Sequence, residues 1–394
     1  YGAEARRAVE RARELTASLL HAMPDEIVFT SGGTESNNMA LKGVAWSAGE
    51  KGDHIIISSV EHPAVSEVCA WLAGRGFTIS TVPVDPSGMV DPEEIEQMIT
   101  PRTILISVMH ANNEVGTIQP IRQIGGIARA HGVLFHCDAA QSAGKIRVDV
   151  NEMMVDLLSV AGHKMYAPKG VGLLFVRRGV GLEKLMHGAG HESGRRAGTE
   201  NVAPVVGLGA AAALISFDNQ GKLVLHPGQE DPGLLCERFM AQLKERHPDI
   251  VLNGHPAQRL PNTLSIAFPG ADAARMLLYM KGVAASAGAA CHSDQEEVSG
   301  VLAAMKVPIM HARGTIRFSV GRFSTSEEID KASGIVSDAY RQCVRGNGTG
   351  NIRLTEYSTA LGCACKIRPQ MLERILKKLP PAKGPNVLSG FDTS

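Results

Sequence analysis

The sequence predicts an α/β fold with a mostly parallel sheet of seven strands and helices on both faces. Between Glu26 and about Val176, short apolar runs alternate with helical patterns. This alternation is typical of parallel sheets whose two faces are both covered. Aromatic residues make up only 4% of the chain, whereas Gly and Ala are plentiful, as in tightly packed α/β proteins. A ligand is then expected at the carboxyl ends of the strands.

The predicted elements of this sheet follow one another in a simple order. An amphipathic helix opens the chain between Ala5 and Leu20, with apolar residues at helical spacing on one face. Short apolar runs of strand length follow it. The predicted strands cover residues 27–29, 54–57, 78–82, 103–107, 133–137, 157–160 and 171–175.

A change of pattern after residue 222 predicts a second, smaller α+β domain. It contains a predicted helix at 234–245, strands at 262–266 and 315–319, and a final helix from Ser326. A Gly/Asn-rich stretch then indicates a linker. The predicted parts of the chain are a large domain at 1–222, the small domain at 223–344, the linker at 345–351 and a short extra tail at 352–394.

Composition and charge exclude several classes of protein. The 40 basic and 40 acidic residues cancel, so no nucleic-acid-binding surface is indicated. No apolar run approaches the roughly 20 residues of a membrane span, and no secretory signal is visible. The seven cysteines are odd in number and mostly scattered, which is typical of a reducing cytoplasm. The chain opens at Tyr1 without a Met, and we interpret it as a piece of a longer protein.

Lys164 and Asp138 carry the functional hypothesis. Lys164 ends an apolar run ahead of a Gly/Pro turn, and Asp138 ends a predicted strand. A desolvated lysine can form a Schiff base with a carbonyl, although most lysines are simply solvated. A carboxylate and an imine-forming lysine at the ends of nearby strands are what pyridoxal phosphate requires, since the acid keeps the pyridine nitrogen protonated.

Other residues that follow predicted strands could contact the same cofactor. The Gly-rich segment with Gly33 and Thr34 opens a helix and could bind phosphate, or be an ordinary N-cap. His62 could stack on the cofactor ring and move protons, or be structural. Asn113 and Gln141 also follow strands and could hydrogen-bond the phenolic oxygen of the cofactor.

Cys291 and Arg317 lie in the predicted small domain. Small residues precede Cys291 and polar ones follow it. We therefore expect it on a mobile, exposed loop, where a thiolate can act as a nucleophile. A small buried hydrophobe is the alternative. Arg317 lies on a predicted strand and could pair with a substrate carboxylate through two parallel hydrogen bonds, or be a surface arginine.

Eight motifs in this order make the chain resemble the cysteine desulfurases, class V members of the fold-type I pyridoxal-phosphate enzymes, which include selenocysteine lyases. The resemblance runs from Tyr1 to about Cys343. It rests on SGGTESNN at 31–38, EHP at 61–63, NNEVG at 112–116, DAAQ at 138–141, GHK at 162–164, RAGTEN at 196–201, GAAC at 288–291 and RFSVGR at 317–322. Ala161 departs from the family, which often has a phosphate-binding Ser there. The run at 188–192 departs as well, and the opening strand of the family is absent.

The resemblance implies a fold-type I transferase fold and four roles around the cofactor ring. Lys164 looks like the Schiff-base lysine, and Asp138 looks like the partner of the pyridine nitrogen. Gln141 is expected to bond the ring oxygen. His62 is expected to stack on the ring and to assist proton transfer.

The resemblance also implies how the phosphate and the substrate are held. The expected phosphate-binding residues are Gly33, Thr34, His163 and Thr199, the last reaching across from a second subunit of a homodimer. Asn113 and Arg317 are expected to take the substrate carboxylate. Cys291 is expected to receive the sulfur.

The tail contains Cys363-Ala364-Cys365-Lys366. On spacing alone this could be a fragment of a metal site, although two thiolates without a further nearby ligand make a poor zinc site. The segment instead resembles the start of selenophosphate synthetase, in which the residues equivalent to Cys363 and Lys366 are catalytic. We expect this piece to be inactive alone and disordered, and we expect no metal site in the chain.

The sequence therefore predicts a cytoplasmic, homodimeric pyridoxal-phosphate enzyme that converts L-cysteine to L-alanine and leaves a persulfide on Cys291. The acceptor of the persulfide or selenide is predicted to be the fused selenophosphate synthetase, and iron–sulfur cluster assembly is an associated role. A selenocysteine lyase acting on L-selenocysteine, a class V aminotransferase and a scaffold with a decayed cofactor site are the alternatives.

Overall fold

The computed structural model describes residues 2–288 and 298–345 of the chain. The predictions made for Cys291, Cys363 and Lys366, and for the tail as a whole, lie outside these residues. The larger of two sheets has seven strands. They are β1 (Ile27–Thr30), β2 (His54–Ser58), β3 (Thr78–Val82), β4 (Thr103–Ser107), β5 (Leu134–Asp138), β6 (Leu157–Ala161) and β7 (Gly172–Val176).

The larger sheet is parallel except at one strand. Its order is β1-β7-β6-β5-β4-β2-β3, and β7 pairs antiparallel with both of its neighbours. Every residue of β2, β4, β6 and β7 is buried, as expected for strands covered on both faces. β3 lies at the edge, and its Thr and Ser side chains are partly exposed, which limits pairing with other chains.

The helices next to this sheet are α1 (Gly2–Leu20), α2 (Gly33–Ser47), α3 (Pro63–Ala73), α4 (Pro92–Met98), α5 (Ile121–Ala130) and α6 (Val202–Ala213). Because strand side chains alternate between faces, successive residues enter different cores. Ile56 packs in the core that contains residues of α1, α4, α5 and α6, whereas Ile55 and Ile57 pack in the core formed with α2 and α3. This alternation places helices on both faces.

The smaller sheet is antiparallel and has four strands in the order β10-β11-β9-β8. They are β8 (Val251–Asn253), β9 (Thr263–Ala267), β10 (Ser286–Ala287) and β11 (Thr315–Ser319). The helices of this region are α7 (Pro232–Arg246), α8 (Ala273–Tyr279), α9 (Gly300–Ala304), α10 (Ile309–Ala312) and α11 (Ser326–Arg345). Its core contains Phe239, Phe268, Phe318 and Tyr340, which meet edge to face.

The predicted α/β fold with a mostly parallel seven-stranded sheet and helices on both faces is confirmed. The predicted strands agree with the observed ones to within about one residue. Helix α11 extends to Arg345, the first residue of the predicted linker. The short elements β10, α9 and α10 were not predicted, because segments of two to five residues show no period. The domain boundaries stay a prediction. None of the described helices is long and apolar enough to cross a membrane.

Candidate active site

The polar residues that follow the strands of the larger sheet meet at one edge of it. Asp138 is the last residue of β5, and Lys164 lies in a 3-10 turn (Gly162–Met165) directly after β6. His62 follows β2 and caps α3. Since β2, β5 and β6 are parallel, their carboxyl ends converge, and a crevice at this edge is where open α/β sheets bind ligands.

Asp138 is held rigidly at the bottom of this crevice. Its side chain is buried, one oxygen accepts a 2.7 Å hydrogen bond from Asn37 Nδ2, and the other accepts from the Ala140 backbone at 2.9 Å. Burial raises the pKa of this carboxyl, and the two hydrogen bonds together with nearby His62 oppose that rise. A cationic N–H placed against Asp138 would therefore stabilise its ionised form.

Lys164 lies at the open face of the crevice. Its turn ends at Tyr166, a non-glycine residue in the left-handed region with φ of 66°. The Tyr166 hydroxyl accepts from the Arg322 backbone at 2.9 Å, which fixes the turn against the smaller sheet region. Partial burial lowers the pKa of Lys164, and the nearby Arg317 cation lowers it further. A lowered pKa provides more of the neutral amine, which is the form that attacks a carbonyl.

His62 presents one ring nitrogen to its own helix. Its Nδ1 accepts a 3.0 Å hydrogen bond from the Ala64 backbone, so the proton of the neutral imidazole lies on Nε2. The preceding residue, Glu61, is buried and accepts from Ser58 Oγ at 2.5 Å and from Met109 N at 2.9 Å. Burial raises the pKa of Glu61 to about 8. Glu61 thus joins the ends of β2 and β4 beside the histidine.

Three of the predicted phosphate-binding residues, Gly33, Thr34 and His163, lie at or near the N-terminus of α2. This helix begins at Gly33, where a Cβ would lie 3.3 Å from Ala161 Cβ, so a larger residue would be tightly packed there. Thr34 and His163 are both exposed next to it. Partial burial and the charges of two neighbouring lysines lower the pKa of His163. The first N–H groups of a helix are free to bind an anion.

Thr199 is the fourth predicted phosphate-binding residue. It is exposed on a segment that is tied to α2 by an ion pair between Arg196 and Glu35, with an N–O separation of 2.8 Å. Its predicted contact through a second subunit stays a prediction.

Arg317 brings the smaller sheet to the same crevice. This residue of β11 donates to the backbone oxygen of Asn113 at 2.8 Å and to Ser286 Oγ at 3.3 Å. The next residue of that loop, Glu114, accepts a hydrogen bond from Ser299, the N-cap of α9. The substrate-binding pair predicted from sequence, Asn113 and Arg317, is therefore in direct contact.

The structure also shows residues that the motif analysis did not single out. Asn37 orients Asp138, and Lys145 donates from Nζ to Gln141 Oε1 at 2.9 Å. Asn37 stands in the Gly-rich motif, and Lys145 stands four residues after Gln141. Neither position differs from an ordinary helix or turn residue by type alone, so their roles needed the contacts to be seen.

The crevice fits pyridoxal phosphate on three observations. Asp138 offers a buried carboxylate that would gain from a protonated ring nitrogen. Gly33, Ala140 and Ala161 meet at the N-terminus of α2, with Ala140 Cβ 3.9 Å from the Gly33 Cβ position, so small residues line the place that a phosphate would approach. Lys164 supplies an amine whose pKa is lowered. Asp138 thus suits the pyridine nitrogen of the cofactor, and Lys164 suits its aldehyde.

Fold and site together define a pyridoxal-phosphate-dependent enzyme of fold type I. A family model described as aminotransferase class-V matches residues 1–332. The chain belongs to this family.

Similar proteins include named cysteine desulfurases. The cysteine desulfurase IscS of Dictyoglomus turgidum is 45% identical over 334 residues, which cover 84% of this chain and 83% of the relative. The mouse cysteine desulfurase is 43% identical over 332 residues, with coverage of 84% and 71%. A solved structure titled "NIFS-like protein" superimposes with a TM-score of 0.76 at 35% identity, covering 86% of this chain and 88% of that one. Another, "SspA in complex with cysteine", gives 0.72 at 35% identity, covering 82% and 89%.

Proposed function

We propose that the chain is a cysteine desulfurase that moves sulfur from L-cysteine to its own Cys291 and releases L-alanine. The carrying observation is that Arg317 of the smaller sheet donates a 2.8 Å hydrogen bond to the Asn113 backbone oxygen, which brings a carboxylate-binding group to the strand ends where Lys164 lies. A carboxylate-binding group and an amine thus meet at one crevice. The similarity to cysteine desulfurases supports the same activity.

Substrate binding is assigned to Arg317 and Asn113. The guanidinium, fixed by its hydrogen bond to the Asn113 backbone oxygen, can take the carboxylate of the amino acid while the Asn113 side chain donates to it. This orients the Cα–H bond toward Lys164. Orientation of this kind converts proton removal into an intramolecular step.

Proton transfer is assigned to Lys164 and His62. Lys164 in its neutral form takes the Cα proton as a general base, which its lowered pKa favours near neutral pH. Pyridoxal phosphate, when bound, would supply the electron sink for this step. The residues that would bind it are Asp138, Gln141, Thr34, His163 and Gly33, with Thr199 from a second subunit. His62 can exchange a proton at Nε2, since Nδ1 is engaged by its own helix.

Cys291 is assigned as the sulfur acceptor on sequence grounds, since it lies outside the described residues. Its thiolate attacks the sulfur of the substrate, an S–S bond forms, and the Cβ–S bond breaks with its electron pair left on the substrate carbon. That carbon takes up a proton and leaves as L-alanine, and the enzyme keeps Cys–S–SH. Thiol plus cysteine thus gives persulfide plus alanine, with no external oxidant.

The finer parts of this proposal concern the assembly and the fate of the sulfur. We propose a cytoplasmic homodimer whose acceptor is a selenophosphate synthetase that begins in the segment 352–394, with Cys363 and Lys366 as its catalytic residues, so that a selenide could be delivered to it from L-selenocysteine as well. The resemblance of the tail supports this, and a short Gly-rich linker would keep donor and acceptor at high effective concentration. A role in iron–sulfur cluster assembly would use the same persulfide.

Alanine release tests the proposal. The chain reconstituted with pyridoxal phosphate is supplied with L-cysteine or L-selenocysteine, and the alanine formed is measured beside the variants Cys291→Ala and Lys164→Ala. We expect K164A to stop both reactions. We expect C291A to stop cysteine turnover and to spare selenocysteine, because selenium leaves more readily.

Cys69→Ala is the matched control. Cys69 is buried, and burial raises its thiol pKa to about 12, so it has no thiolate to offer. C69A should keep the wild-type rate per folded enzyme. Cysteine turnover by C291A would refute the role of Cys291. Keto-acid-dependent amino transfer without alanine release from cysteine would identify an aminotransferase instead.

A further inference from the structure

Lys145 lies beside the cofactor crevice without a role in the proposed reaction. It follows β5 by a short turn, is half-buried, and donates from Nζ to Gln141 Oε1 at 2.9 Å. On its other side its stem lines a cavity of about 170 Å³ between the two sheets. The charged residues that line this cavity with it are Lys222, Glu230, Asp231 and Arg322.

The hydrogen bond between Lys145 and Gln141 fixes the orientation of the Gln141 side-chain amide. An ammonium group has donors and no acceptor, so it can bind the oxygen of the amide and not its NH₂ group. With Oε1 engaged by Lys145, the Nε2 end of Gln141 is left to point elsewhere as a donor. A donor is what the negatively charged ring oxygen of pyridoxal phosphate requires.

Three cations come together on this side of the crevice. Burial, together with the positive charges of Lys164 and Arg317, lowers the pKa of Lys145 to about 8. The two acidic residues of the neighbouring cavity already have partners. Asp231 forms an ion pair with Lys222 at 2.7 Å, and Glu230 accepts a hydrogen bond from the Ser326 backbone. An anion bound among Lys145, Lys164 and Arg317 would relieve their mutual repulsion.

We propose that Lys145 is a positioning residue that orients Gln141 toward the ring oxygen of the cofactor and adds a positive charge beside Lys164. This inference rests on the proposed function, because Gln141 has a ring to face only if pyridoxal phosphate binds here. Lys145 acts through Gln141 and through its charge, and it does not contact the reacting atoms.

The test is a pH titration of the visible absorbance of bound pyridoxal phosphate in Lys145→Met. Methionine keeps the length of the side chain and removes both the charge and the donor. A nearby positive charge and a donor to the ring oxygen both disfavour the proton on the cofactor-bearing nitrogen of Lys164. K145M should therefore titrate at a pH higher than wild type by about one unit, and Lys145→Arg, which keeps charge and donor, should return toward the wild-type midpoint.

Lys222→Met is the matched control. It removes a lysine from the same cavity wall, and its partner is Asp231 rather than Gln141. The midpoint of K222M should equal that of wild type. If K145M does not retain cofactor, Lys145→Gln serves instead; its amide can still donate to Gln141, so it removes only the charge and should show a smaller upward shift.

The outcomes separate this inference from the function on which it rests. A wild-type chain that binds pyridoxal phosphate through Lys164, while K145M and K145Q titrate at the wild-type midpoint, overturns the role of Lys145 and leaves the function intact. A wild-type chain that forms no visible band overturns the cofactor assignment itself. An equal shift in K222M would show that general charge in the cavity, and not the Gln141 contact, sets the midpoint.

Discussion

The candidate active site has a part that would hold the cofactor ring, here called the ring end, and a part that would hold the amino acid, here called the substrate end. The two ends are built in different ways. At the ring end, Asp138 is buried and both of its oxygens accept hydrogen bonds from residues of the larger sheet and its helices. At the substrate end, Lys164 is exposed, and Arg317 comes from the smaller sheet and reaches the loop after β4. The ring end is thus fixed by the larger sheet and its helices alone, whereas the substrate end depends on how the two sheets pack against each other.

This difference matches what each end has to do. A group that keeps a charge on a bound ring acts best when water is excluded and its geometry is fixed. Groups that meet a small, exchanging substrate have to remain open to solvent between turnovers. We therefore expect substitution of Asp138, at the ring end, to lower kcat, and substitution of Arg317, at the substrate end, to raise KM.

Asp138→Asn should give the largest effect of the three substitutions considered. Asparagine keeps the size of the side chain and can still accept from Ala140, but it removes the negative charge beside the ring nitrogen. We expect kcat for alanine release to fall about 10²–10³-fold with little loss of stability. Steady-state kinetics and a thermal melt measure both.

Asp156→Asn is the control for D138N. Burial also raises the pKa of Asp156, which accepts from the Phe135 backbone at 2.9 Å, but it precedes β6 and so lies at the opposite edge of the sheet. D156N should leave kcat unchanged. An equal drop in both variants would mean that any change to a partly buried carboxyl of this sheet impairs the enzyme, and the contrast between the two ends would fail.

Glu61→Gln tests how much the buried carboxyl of Glu61, beside the site, lowers the free energy of unfolding as pH rises. Its folded pKa is raised from 4.5 to about 8 by burial, so the folded state holds the proton that the unfolded chain releases. Wild-type stability should therefore fall as pH rises from about 5 to 8 and level off above that. Between pH 6 and pH 9, wild type should lose about 2–3 kcal/mol relative to E61Q.

Urea unfolding at the two pH values measures this difference. Glu67→Gln, an exposed position on the helix α3 that follows Glu61, serves as the control and should follow the wild-type curve. Parallel pH curves for wild type and E61Q would show that Glu61 is already ionised at pH 6 in the folded protein.

Arg317→Lys should give the smallest effect and should act on KM. Lysine keeps the charge but cannot form the two parallel hydrogen bonds of a guanidinium with a carboxylate. We expect KM for L-cysteine to rise about tenfold, which corresponds to about 1.4 kcal/mol, with kcat nearly unchanged.

Arg238→Lys, on the surface of α7 and paired with Asp330 at 2.7 Å, should leave KM unaffected. A fall in kcat without a rise in KM for R317K would place Arg317 at the ring end functionally and would contradict the division of the site into two ends.

Sequence reasoning brought residues of both ends together where they follow parallel strands. Asp138, Lys164 and His62 each come where an apolar run stops, and the carboxyl ends of parallel strands converge. The contact between Arg317 and Asn113 joins residues that are 204 positions apart, one on β11 of the smaller sheet and the other in the loop after β4 of the larger sheet. Hydrophobic periodicity describes each sheet separately, so it predicts both strands but not their docking.

The side-chain hydrogen bonds at the ring end could not be predicted from the sequence, for a different reason. That Asn37 binds Asp138, and that Lys145 binds the oxygen of Gln141, depends on rotamers and on distances below 3 Å. Residue type and spacing leave these choices open. The role of Thr199 depends on a second subunit and stays a prediction.

The place of β1 in the sheet has a consequence for the order in which the chain is synthesised. Among the described residues, β1 (Ile27–Thr30) lies at an edge of the larger sheet, and its neighbour is β7 (Gly172–Val176), which is synthesised much later. A nascent chain that stops short of Gly172 therefore contains β1 without β7, and the glycine turn that follows β1 lacks the strand on which it packs. Pairing these strands closes a long loop against its entropy. The phosphate end of the crevice, although it begins directly after β1, is completed only once β7 has been made.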